Sequence, residues 1–184
     1  MKNEMTQKQS IFIKTAAAAA LVVLAAALRI LPHPLNLTPI GAMAVFSGSV
    51  FREKWLKFAF PLSALFAGDL LIGFHTLMPV VYMSFLLSVG IGMWIGEKRS
   101  VARVAGATLL GAIQFFLITN FAVWVAFTTY PKSLAGLIAC YVGGIPFFWN
   151  TLAGDALYVG LLFGGYTLAE RFVKQPGAIP QVQR

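Results

Sequence analysis

The chain is poor in the chemistry that soluble enzymes and metalloproteins carry. It has one cysteine, Cys140, which excludes an internal disulfide and any multi-cysteine metal cluster. Histidines number two, His33 and His75, and acidic residues six. No HExxH, GxSxG, glycine-rich phosphate loop or paired-carboxylate motif occurs, so no catalytic residue, metal ligand or cofactor is expected. Charged residues make up only 11% of the 184, which excludes an ordinary soluble surface.

What the chain does have is apolar sequence. Hydrophobic residues reach 59% and mean hydropathy is +0.80, the range of integral membrane proteins. The expected environment is therefore a lipid bilayer. The formal charge of +8 sits in short clusters between apolar runs and forms no continuous patch, which argues against nucleic acid. The length accommodates about six helices of ~20 residues with short connections. We expect an all-α, six-helix transmembrane bundle over residues 1–170 and a polar tail over 171–184.

The first apolar segment, Ile11 to Leu28, is alanine-rich and ends at Arg29. Ala25 and Ala27 form an A-x-A pattern, so a cleaved signal peptide is the competing reading. Ala16 and Ala20, four residues apart, suit close packing of a retained helix. The prolines of LPHPLNLT make a turn before a short second segment, Pro39 to Phe51. Further segments are read at about 58–73, 80–96 and 104–128. A short helix is expected over Ser133 to Gly144, with Ser133 as its N-cap and Gly143, Gly144 and Pro146 ending it. The last span is read at 147–169.

Twelve of the fourteen lysines and arginines fall at the N-terminus, in the second and fourth connections and in the tail; Arg29 and Lys132 are on the other side. The positive-inside rule then places both termini in the cytoplasm, in a multi-pass protein of the inner membrane. The first, third and fifth connections face outward. Polar residues share that outer half: Asn120 lies eight residues, ~12 Å, below Thr128, and Asp155 lies at a similar depth. Asp69 is about one turn from the outer end of the third segment. An outward-facing polar cavity is expected, since polar groups in hydrocarbon need a partner or water.

The candidate wall of that cavity is the stretch from Phe115 to Asp155. Phe116, Asn120, Trp124 and Phe127 share a helical face, an arrangement that can stack on a flat ligand and hydrogen-bond its edge. Asn150, Asp155, Asp69, His75, Tyr130 and Tyr141 complete the expected substrate-binding set. Against this, Asn120 and the aromatics would also serve plain helix packing. Arg29 is the natural partner of Asp69 or Asp155, and an Arg29–Asp69 ion pair fastening the first helix is the structural alternative.

The segments RILPHPLNLTPIGAMAVF, GDLLIGFHTLMPVVY, FFLITNFAVWV, YPKSLAGLIACYVGGIPFFWNTLAGD and LFGGY together resemble a widespread, largely uncharacterised group of small bacterial membrane proteins regarded as transport proteins. More loosely, that group resembles the substrate-binding S components of energy-coupling factor vitamin transporters. The resemblance implies six helices, an outward pocket and a first helix that docks through Ala16 and Ala20 on an energising transmembrane and ATPase module. It implies capture of a small water-soluble nutrient, a vitamin or heterocycle. Solitary cobalamin transporters are similar in size, but their cobalt-binding cysteine after the third helix has no counterpart here, where His75 is the comparable ligand. Other readings stay open at this point: a proton- or ion-coupled carrier using Asp69 and Asp155, an intramembrane enzyme using Cys140 and His75, and a structural assembly factor.

Overall fold

A computed structural model describes residues 2–28 and 34–174. They form six helices and no strand: α1 Lys2–Leu28, α2 Ile40–Val50, α3 Lys54–Ile72, α4 Met78–Ile95, α5 Val101–Ala126 and α6 Leu134–Lys174. Among the described residues α4, α5 and α6 are long and apolar enough to cross a membrane, while Ile11–Ala27 and Ile40–Val50 are shorter apolar helices.

The bundle is built around its shortest member. At 1.5 Å per residue α2 is only ~16 Å long, about half the hydrocarbon core. Nine of its eleven residues are buried, and it touches all five other helices. Small residues make that possible. A Cβ on Gly48 would collide with the Val89 carbonyl of α4, and one on Gly92 with the Val45 carbonyl of α2. The two backbones therefore meet directly, as in other small-residue crossings. Phe46 closes the centre edge-on against Phe163 and Tyr166 of α6, with ring centroids 5.1 and 5.8 Å away.

Helix boundaries differ from expectation at three places. Residues Ser133 to Gly144 do not form a separate short helix: Ser133 does cap, its Oγ accepting from the Gly136 N–H at 3.2 Å, but α6 then runs unbroken through Pro146. Gly143 and Gly144 are small for another reason. A side chain at Gly143 would strike the Tyr130 hydroxyl and one at Gly144 the Asn120 amide, so these glycines admit neighbours and do not end a helix. The polar tail also starts later than residue 171, because α6 continues to Lys174. Likewise α1 starts at Lys2, well before Ile11.

On α1 the packed alanines are Ala18 and Ala25, with Val22 between them; Ala16 and Ala20 lie on the exposed face. Arg29 and His33, and with Arg29 the Arg29–Asp69 pair, lie outside the described residues.

Candidate functional site

Two neighbouring hollows open at the end of the bundle where α1 passes to α2, α3 to α4 and α5 to α6. The first, ~240 Å³, is lined by Asp69, His75 and Asp155 together with Asn36, Thr38 and Thr151, over a floor that includes Leu65, Phe85 and Phe115. The second, ~370 Å³, is lined by Asn120, Tyr130 and Cys140 among others. Asn36, Val81 and Phe115 belong to both, so the hollows adjoin.

Asp155 is held where a helix would otherwise lack a partner. The first N–H groups of α2 have no acceptor within their own helix. Pro39, at the N-cap, offers no side-chain hydrogen bond. The Asp155 carboxylate of α6 supplies the acceptor, its Oδ1 taking the Ala42 N–H at 3.0 Å. The α2 dipole favours a negative charge at that end. Gly41 makes the approach possible, since a methyl there would overlap the carboxylate. Only 3% of Asp155 is exposed, yet it still borders the hollow.

Asp69 is equally buried and sits one turn from the end of α3. It accepts a hydrogen bond from the Tyr82 hydroxyl of α4 at 2.8 Å. The α3 end is sharp because Gly73, at φ +106°, takes a conformation that few side chains tolerate, and its N–H bonds the Asp69 carbonyl at 2.9 Å. His75 follows on the exposed turn and faces the same hollow.

Asn120 uses its amide nitrogen on its own helix, donating to the Phe116 carbonyl at 2.9 Å, while its oxygen lies against Gly144 of α6. Cys140 is buried beside it, its Sγ–H donating to the Asn120 carbonyl at 3.3 Å. Cys140 and His75 line different hollows.

Three residues expected in the site serve elsewhere. Trp124 donates from Nε1 to the Pro131 carbonyl at 2.9 Å, and the Lys132 ammonium stands 5.5 Å from its ring centroid. Lys132 also donates to the carbonyls of Trp124, Val125 (3.1 Å) and Phe127 (2.7 Å), capping the C-terminal end of α5. Trp124 and Lys132 thus form a clasp over the α5–α6 connection. Tyr141 donates to the Leu117 carbonyl at 2.8 Å and packs on Phe116, joining α6 to α5. Asn150 donates to the Leu35 carbonyl at 3.0 Å, fixing the 34–39 turn to α6. None of the three lines either hollow, because helical periodicity states which face a residue is on and not what lies opposite.

Asn36, Thr38, Tyr82 and Thr151 belong to the site or its support and were not among the expected residues. Asn36 had one legible signal. It lies in a proline-flanked turn and adopts φ +65°, a conformation that asparagine tolerates better than most residues. Between α4 and α5, Gln114 donates to the Ser84 carbonyl (2.9 Å) and the Ser88 hydroxyl (3.0 Å) beside the first hollow. Among the described residues, no three His, Cys, Asp or Glu side chains gather in a way that could hold a metal ion.

A model of a family of unknown function, DUF6580, matches residues 9–178, and the chain belongs to that family. No curated protein and no solved structure matches it.

Proposed function

Starting from membership in a family with no assigned activity, we propose that this chain is a multi-pass protein of the cytoplasmic membrane that captures a small water-soluble solute from the outer side. The observation that carries the reading is the pair of adjoining hollows, with Asp69, Asp155 and His75 around one and Asn120 and Tyr130 around the other. Buried carboxylates in a bundle this apolar are costly, and such groups mark substrate or ion pathways where they face a water-filled cavity. Six membrane-inserted helices with both termini inside, the short α2 enclosed by the others, in the manner of an energy-coupling factor S component, accord with the grouping of the three odd connections around the hollows and with the distribution of lysine and arginine.

The first hollow alone falls below the ~300–1,000 Å³ of typical small-molecule sites, the second lies near the lower end of that range, and together they remain within it. The volume suits a compact heterocycle better than a corrin. Two carboxylates, an imidazole and an asparagine favour a ligand edge rich in N–H groups, while Phe85 and Phe115 offer apolar contact for a ring. An energising module, in this reading, docks on the exposed Ala16 and Ala20 face of α1.

The test is to purify the protein, seek a co-purifying small molecule by mass spectrometry, and screen water-soluble vitamins by thermal shift. A stabilising ligand whose effect falls at least tenfold in His75→Ala and Asp155→Asn supports capture. Repeated absence of any ligand, with no thermal shift across the panel, refutes it.

A second reading, a proton- or ion-coupled carrier, is favoured by one observation: both buried carboxylates, Asp69 and Asp155, border the same hollow. It requires that Asp155→Asn abolish gradient-driven uptake while binding persists.

A further inference from the structure

At the opposite end of the molecule a groove of ~960 Å³ runs between the first turns of α5 and the last turns of α6. Its walls are apolar, including Val104, Leu109, Leu152, Val159 and Phe163. Thr108 and Thr167, which also line it, spend their hydroxyls on the Val104 and Phe163 carbonyls of their own helices, at 2.8 Å each. The trough exists because Gly160 and Gly164 of α6 have no side chain, and a Cβ added at either would meet nothing within 4 Å. From Leu152 to Leu168 it follows α6 for ~24 Å, more than the ~15 Å depth of one leaflet's hydrocarbon.

Its charged residues are two arginines, Arg99 and Arg171. Arg99 also borders an adjoining basin of ~410 Å³ that holds Lys14, Arg52 and Lys57 against the carboxylates of Glu97 and Glu170. The Arg99 guanidinium lies 5.2 Å from the centre of the Tyr166 ring, and its Glu170 contact is a loose 3.9 Å. A guanidinium has five N–H donors in a planar fork suited to phosphate, so its contacts with Tyr166 and Glu170 still leave donors to spare.

We propose that this groove is a binding site for an anionic phospholipid, with one acyl chain along Gly160 and Gly164 and the phosphate on Arg99 and Arg171. Charge complementarity selects the lipid class: cations outnumber carboxylates at the mouth, as in basic interhelical pockets that hold anionic headgroups. The rival occupant is a second copy of the chain, because two glycines four residues apart also suit helix pairing. Two copies inserted the same way in one bilayer and paired on this face would gather four arginines at one depth, like charge beside like charge, which disfavours it. The proposal depends on the chain spanning a bilayer and is independent of whether the hollows capture a solute.

The experiment is native mass spectrometry of the full chain in detergent, with phosphatidylglycerol, phosphatidylcholine of the same acyl chains, or inorganic phosphate added. At about fivefold per arginine, phosphatidylglycerol should be retained roughly 25-fold better than phosphatidylcholine. Arg99→Gln with Arg171→Gln should erase that preference. Gly160→Leu with Gly164→Leu should cut phosphatidylglycerol retention at least tenfold without lowering the melting temperature, since leucine favours helix and the space is open. Equal retention of the two lipids by the unmodified protein overturns the proposal. So does full phosphatidylglycerol retention by the glycine variant, or displacement of the lipid by phosphate at equal concentration. A dimer that the glycine variant abolishes with lipid retention unchanged overturns it in favour of the second copy.

Discussion

The two ends of the bundle handle charge in opposite ways. At the end with the hollows, Asp69 and Asp155 are 3% exposed and each accepts a hydrogen bond from another helix, from Tyr82 and from the Ala42 N–H. At the other end Lys14, Arg99 and Glu170 are partly solvated and meet at 3.8–3.9 Å. Buried charge is tied to one geometry, because every lost partner leaves a desolvated group behind. Solvated charge is exchangeable, since water replaces any one contact. The first arrangement fixes two carboxylates beside a hollow, and the second leaves charged groups free to exchange partners.

That contrast breaks most sharply at Gly41. Gly41→Ala puts a methyl where the Asp155 carboxylate lies, so the carboxylate must turn away and give up the Ala42 N–H. A loss of about 3 kcal/mol is expected, read by thermal unfolding in detergent. A melting curve like that of the unmodified protein would mean that the contact between α2 and α6 is not fixed.

Next in size, Asp155→Ala should cost about 2 kcal/mol by stranding the Ala42 N–H. Asp155→Asn should recover most of that loss, because an amide oxygen still accepts the bond. The pair of variants separates the capping role of Asp155 from the role proposed for its charge in solute capture.

A smaller effect, about 1.5 kcal/mol, is expected for Gly144→Ala, which pushes on the Asn120 amide. Adding Asn120→Ala should restore part of that stability, the rest being lost to the Phe116 ring 2.9 Å from the added methyl, a coupling that a double-mutant cycle measures directly. Additive losses would show that the two residues do not press on each other.

Glu170→Gln, at the solvated end, should shift stability by less than about 0.5 kcal/mol, and the difference should fade in high salt. A loss as large as that of Asp155→Ala would erase the distinction between the two ends.

Much of this was legible in the sequence. The all-helical class, the approximate places of the first five helices, the crowding of polar groups toward one end, and Asp69, Asp155 and His75 as neighbours of one cavity followed from hydropathy and from the cost of polar groups among apolar ones. Trp124, Tyr141 and Asn150 looked the same by those signals and proved to be fasteners. Gly143 and Gly144 read as a helix stop, yet they are the places where Tyr130 and Asn120 come close.

Composition and the spacing of apolar runs determined by themselves the apolar, all-helical class of the molecule and the approximate places of its first five helices, because both depend on local transfer free energy and local backbone preference. Tertiary structure decided that the short α2 lies at the centre, that α6 continues past Pro146, and that Asp155 completes the start of another helix. Those outcomes depend on which residues meet across 113 positions of chain, as Ala42 and Asp155 do. A helical period fixes the direction a side chain takes from its own axis; what it meets there is set by the packing of the other five helices.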